Sequence, residues 1–175
     1  EDIGVDTERF DPALRDRADD AIRVLYSGRM TREKGAELLA EAFLRARREE
    51  PRLQLLLAGG GPEQERLRER LGDSARFLGW LQGEQLARAY ADADVFLFPS
   101  ETDTFGQVIL EAQASGLPVV AVAAGGPLSL IEHRASGLLC EPQAPQLVAA
   151  MLELARSPLL REHLALGGLR AVRGR

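Results

Sequence analysis

Two short clusters carry residue types that could act together on an anion. The first is Gly28-Arg29 followed by Lys34-Gly35. Arginine offers a planar fork of donors matched to phosphate oxygens, and lysine a compact point charge. Five positions apart in one loop, the two can converge on a single diphosphate. All but one of the 22 basic residues are arginine, so Lys34 is alone of its kind. The same spacing also fits a solvent-exposed basic loop with Glu33 as partner. The second cluster is Ser100-Glu101-Thr102-Asp103-Thr104-Phe105-Gly106-Gln107, opening a stretch that runs through Glu111. Asp103 and Thr104 suit an N-cap, which would turn the amides of Phe105, Gly106 and Gln107 out of the helix start as an anion site. Gly106 would let a ligand approach the backbone closely. Glu111, six residues beyond Phe105, would then lie roughly 9 Å along the axis. That suits a ribose set away from a diphosphate at the helix start. Gln107 and Glu111 share one face, while Val108, Ile109 and Ala112 turn inward. A capped core helix with a solvated glutamate has the same pattern.

The surrounding sequence predicts the elements that must hold these clusters. Short apolar runs alternate with amphipathic stretches, the pattern of an α/β domain. Strands are expected at 23–27, 53–58, 75–78, 95–98, 119–121 and 138–139. Helices are expected at 33–48, 63–71, 83–91, 105–115, 127–132, 143–156 and 159–172. In the first helix Leu38, Leu39, Ala42 and Phe43 form an inward stripe. Runs such as Leu53 to Leu57 imply strands buried on both faces, hence a parallel sheet with helices above and below. Right-handed crossovers make it a doubly wound, mainly parallel, Rossmann-like sheet whose ligands bind beyond the carboxyl ends of the strands. Both clusters fall at such ends. Residues 1–20 read as a connector, 21–158 as the binding domain, and 159–175 as a helical tail.

Composition narrows the partners. A net charge of −5 argues against nucleic acid, which would want a basic face. The single cysteine, Cys140, excludes an internal disulfide and fits a reducing, cytoplasmic setting. Apolar runs such as 53–58 and 119–124 are far too short to span a bilayer. The chain opens at Glu1 with no initiator Met, and reads as an excised piece of something longer.

Taken in order, the motifs resemble the C-terminal domain of the GT-B glycosyltransferases, specifically the large retaining family four. Gly4-Val5-Asp6 with Phe10 is similar to the hinge leaving the acceptor domain. Gly28-Arg29 with Lys34-Gly35 is similar to the diphosphate loop. Leu57-Ala58-Gly59, Gly61-Pro62 and Phe77-Leu78-Gly79 are similar to later strand ends. Phe105-Gly106, Glu111-Ala112 and Ser115-Gly116-Leu117-Pro118-Val119 are similar to the signature helix and the strand after it. The resemblance implies one half of a GT-B fold that binds a UDP- or GDP-sugar. Transfer with retention would occur only when the missing N-terminal acceptor domain is joined, so the fragment alone is expected to be inactive. It implies that Arg29 and Lys34 neutralise the donor diphosphate and that Glu111 takes the ribose hydroxyls. It places Asp103, Thr104, Phe105, Gly106 and Gln107 at the sugar and phosphate, Gly28 in the diphosphate loop, and Gly79-Trp80-Leu81 at the base. No cofactor or metal is expected, and any peripheral membrane association would come through the missing half. Two positions depart from the pattern. Asp103 stands where a glutamate is usual, which we read as donor tuning, and Ser129 stands where the loop after Gly125-Gly126 usually carries one. A non-catalytic nucleotide-binding module and a GT-B UDP-sugar epimerase are the alternatives.

Other signals point to plainer roles. Gly59-Gly60-Gly61 suggests a dinucleotide fingerprint, but Gln64 occupies the third glycine position and the run follows the second strand. Asp92-Ala93-Asp94 imitates a metal-binding acidic motif, yet sits at a helix-to-strand handover where capping and turn roles are expected. His133 and His163 lack clustered partners, and Cys140 reads as a buried thiol.

Overall fold

The computed structural model describes residues 5–17, 19–102 and 106–174. Six strands form one all-parallel sheet: β1 (Ile22–Arg29), β2 (Leu53–Gly60), β3 (Ala75–Gly79), β4 (Val95–Phe98), β5 (Val119–Val122) and β6 (Leu138–Cys140). Their order is β3-β2-β1-β4-β5-β6, the doubly wound arrangement. Among the described residues seven α-helices cover it: α1 (Ala36–Glu49), α2 (Gln64–Leu71), α3 (Gly83–Ala91), α4 (Gln107–Ala114), α5 (Gly126–Leu130), α6 (Ala144–Arg156) and α7 (Pro158–Arg173).

Period-two alternation sorts the strand residues onto two cores. Val24 and Tyr26 of β1, Leu55 and Leu57 of β2, and Val95 and Leu97 of β4 face α1 and α6, where Leu39, Phe43, Leu147 and Met151 meet them. Leu25, Leu56, Phe96 and Phe98 face the other way, onto Tyr90 of α3 and Ile109 and Leu110 of α4. Both strand faces are therefore apolar, which is why the runs read as continuous. Burying a side chain such as Phe43 completely is worth about 1.5–3 kcal/mol. Helix α7 gives Leu164 to the first core and Val172 to the second. Its Gly168 abuts Gln113 of α4.

The order reverses between β1 and β4, and there the sheet opens. Pairing of β1 with β4 is confined to Val24–Val95 and Leu25–Phe96, whereas β1 continues along β2 as far as Arg29–Gly60. The crevice lies where those two paths part.

Two helices start later than their sequence patterns suggest. α1 begins at Ala36, not Glu33, because Gly35 at φ 90° breaks the helical path. α4 begins at Gln107, not Phe105, after Gly106 at φ 66°. Both glycines adopt left-handed conformations that cost other residues strain.

Candidate nucleotide-sugar site

The carboxyl edge is built around β1. Gly28 and Gly59 are register partners on neighbouring strands. A Cβ on Gly59 would lie 2.0 Å from the Gly28 carbonyl oxygen, and one on Gly61 would lie 2.6 Å from that of Met30. The Met30 amide donates to Gly60 (2.9 Å) and its carbonyl accepts from Glu63 (3.0 Å). The glycine run after β2 is thus explained by backbone lying on backbone. It seats the 28–35 loop.

Arg29 ends β1 itself, with its side chain exposed and its carbonyl accepting the Tyr26 phenol. Lys34, half-buried, lies in a turn closed by its amide donating to Thr31 Oγ1 (3.2 Å). Gly35 presses on β4's end, where a Cβ would meet the Pro99 carbonyl oxygen at 2.6 Å. From the other loop, the Thr102 hydroxyl donates to the Glu33 carbonyl (3.3 Å). The two sequence clusters are thereby tied together across the crevice.

The start of α4 corrects the expected position of Glu111. The residue at its N-cap is Gly106. Asp103, Thr104 and Phe105, with the capping and sugar-side roles expected of them, lie outside the described residues, as does Gly4 of the hinge motif. Gly106 is buried, and a Cβ there would meet Leu130 Cδ1 at 2.8 Å. Backbone conformation and packing by themselves require a glycine here. With the helix starting at Gln107, Glu111 sits one turn in, about 6 Å along the axis and not 9 Å.

Glu111 is half-buried on the face it shares with exposed Gln107. Its Oε1 accepts the Tyr90 phenol at 2.9 Å. Burial raises the Glu111 pKa above the ordinary carboxylate value, with the Tyr90 hydrogen bond opposing the shift. Burial likewise pushes the Tyr90 phenol well up, followed by the charge of Glu111. The nearby Ser27 hydroxyl opposes that shift. Tyr90 is not visible as a site residue in the sequence. The one signal is that a buried tyrosine must find a partner, and here that partner is 21 residues away.

At the far end of this edge, Gly79 ends β3 at φ 75° with open space where a Cβ would stand. Trp80 is 62% exposed, and its indole nitrogen approaches Gly60 at the end of β2. Leu81 packs onto the second core. Ser129 is exposed and donates to the Gly126 carbonyl (3.0 Å), turning its hydroxyl back onto α5.

The acidic motif belongs to the opposite edge. Asp94 takes Arg15 and Arg17 at 2.7 Å each and the Arg23 amide at 2.8 Å, while Asp92 takes the Asp16 amide at 2.8 Å. Its job is wider than the turn the sequence suggests, because it fastens residues 15–17 beneath the sheet. Among the described residues no three of His, Cys, Asp and Glu cluster as metal ligands. His133 Nδ1 accepts the Leu139 amide (3.0 Å), and burial raises the Cys140 thiol to about 11. A cavity of about 930 Å³ lies between 128–136 and α7, away from the clusters just described.

A family model described as "Glycosyl transferases group 1" matches residues 21–157. The chain belongs to this family. A GDP-mannose-dependent alpha-mannosyltransferase of Corynebacterium glutamicum is 42% identical over 79% of this chain and 34% of its own length. Curated relatives are spanned by this group 1 domain over only 28% to 46% of their lengths. The C-terminal domain of a Francisella tularensis group 1 protein superposes with a TM-score of 0.89 at 23% identity, over 98% of both chains. Anabaena Alr3699/HepE, solved with UDP and glucose, superposes at 0.82 and 23% identity, over 95% of this chain and 51% of its own. The group 1 glycosyltransferase domain is therefore a GT-B C-terminal half in fold. Among its described residues no helix is long and apolar enough to cross a membrane.

Proposed function

We propose that this domain binds a nucleoside diphosphate sugar in the β1/β4 crevice and is the donor half of a retaining glycosyltransferase. The observation that carries the reading is the tie between the Arg29–Lys34 loop and the loop leading to α4, at the reversal of strand order. Such a reversal is where open α/β sheets take ligands. On this reading Arg29 and Lys34 neutralise the diphosphate and stabilise it as it leaves. They fill the part a divalent cation plays elsewhere, so transfer should persist in EDTA. Glu111 accepts from the ribose hydroxyls, Gly28 opens the diphosphate loop, and Gly79, Trp80 and Leu81 border the base. Asp103, Thr104, Phe105, Gly106 and Gln107 supply the sugar and phosphate side. The relatives named above use GDP-mannose in one case and hold UDP in another, and both bases stay within the proposal. Transfer itself requires the acceptor half.

The test is a calorimetric titration of the domain with UDP, GDP and ADP, repeated on Arg29→Ala and Glu111→Ala. We expect selective binding of one diphosphate, weakened by both changes. In the full-length enzyme, Lys34→Ala should lower turnover roughly a hundredfold, about 3 kcal/mol in the transition state. Near-normal turnover would remove the leaving-group role.

A further inference from the structure

Tyr90 is entirely buried, and its ring is fixed from two sides. Phe10 meets it edge-on at 5.5 Å and Phe96 stacks on it at 5.5 Å. A phenylalanine would satisfy both ring contacts. The hydroxyl is what remains to be explained, and its partner is a carboxylate, Glu111, held half-buried at an energetic disadvantage. Stability alone requires neither group, since replacing both members of a buried polar pair by apolar residues is close to neutral. The hydrogen-bond direction is also determined: the carboxylate can only accept, so the phenol proton goes to Glu111. The phenol thus holds the carboxylate of the proposed ribose contact from the side of the second core.

We propose that Tyr90 is a positioning residue that holds one carboxylate oxygen of Glu111 and so presents the other to the ribose hydroxyls of the donor. This rests on the ribose role given to Glu111. Tyr90 touches no donor atom and acts through the carboxylate alone, so its contribution must vanish wherever the ribose hydroxyls or the carboxylate are missing.

The domain is titrated with UDP and GDP and with their 2′,3′-dideoxy counterparts. Tyr90→Phe should weaken the preferred ribonucleoside diphosphate about 5- to 10-fold, the range of one hydrogen bond. It should leave the dideoxy form unchanged, and add nothing in a Glu111→Ala background. Circular dichroism and thermal melting confirm that each variant is folded. Should Tyr90→Phe not be, 3-fluorotyrosine at position 90 decides, since it keeps the ring contacts and changes the donor strength of the phenol. It should shift affinity for the ribonucleotide and not for the dideoxy form, and an unshifted ribonucleotide affinity would refute the positioning role. Equal weakening of ribo and dideoxy forms would mean that Tyr90 only shapes the fold. Wild-type affinity in Tyr90→Phe with weakened Glu111→Ala would refute the positioning role alone. Wild-type affinity in Glu111→Ala would overturn the ribose reading itself.

Discussion

The two edges of the sheet use charge in opposite ways. Beneath it, Asp94 is closed off: its side chain is 8% exposed, Arg17's is 6%, and both oxygens are taken by guanidinium groups. Above it, Arg29 is exposed, and Glu111 is kept half-buried with a tyrosine, not a cation, as its partner. A closed ion-pair cluster fastens chain to chain. An edge of exposed cation, backbone-packed glycines and a carboxylate with no counter-ion among the described residues suits an outside ligand. Acidic residues at strand ends therefore say little about function until the edge they occupy is known.

This contrast can be broken from either side. The largest effect is expected from Asp94→Ala, which removes the carboxylate shared by Arg15 and the buried Arg17 and should lower unfolding free energy by about 3–5 kcal/mol in urea titrations. Diphosphate affinity of the protein that remains folded should not move. A loss of affinity matching the loss of stability would erase the distinction between the edges. Gly59→Ala comes next, since it forces a methyl onto the Gly28 carbonyl at φ 131°. It should cost about 1–3 kcal/mol and also weaken diphosphate binding, because the β1 loop must shift.

The smallest effect has the opposite sign. The Glu111 pKa is raised in the fold by burial, so the stability tied to its protonated form is complete below the unfolded value, near 4.5, and is lost as pH rises through the folded value. Glu111→Gln cannot ionise. Its melting temperature should gain on wild type as pH rises above about 4.5, ending higher by a few degrees at neutral pH, while diphosphate affinity falls. Parallel pH curves for the two proteins would show that the carboxylate is not held at a cost.

Much of this was legible in the sequence, for identifiable reasons. Strands such as 95–98 announce themselves because both faces are buried, and the Arg29–Lys34 pair because both lie in one loop. The starts of α1 and α4 are not legible because Glu33 and Phe105 look helical, while the deciding feature is the left-handed backbone at Gly35 and Gly106. Nor does the sequence show that Gly106 packs on Leu130. The Tyr90–Glu111 bond joins two helices through the fold, and no local pattern encodes it. The same holds for Asp94, whose turn position was readable and whose arginines were not.

For an engineer reshaping donor choice, the glycines of this edge differ in tolerance. Gly35, Gly59 and Gly61 each face backbone atoms within 3 Å of where a side chain would begin, so libraries at those positions would return mostly misfolded protein. Gly79 faces nothing within 4 Å, and its φ of 75° is one that asparagine also visits. Together with the solvent-facing Trp80, it is the stretch of rim where variation can accumulate without disturbing the frame beneath.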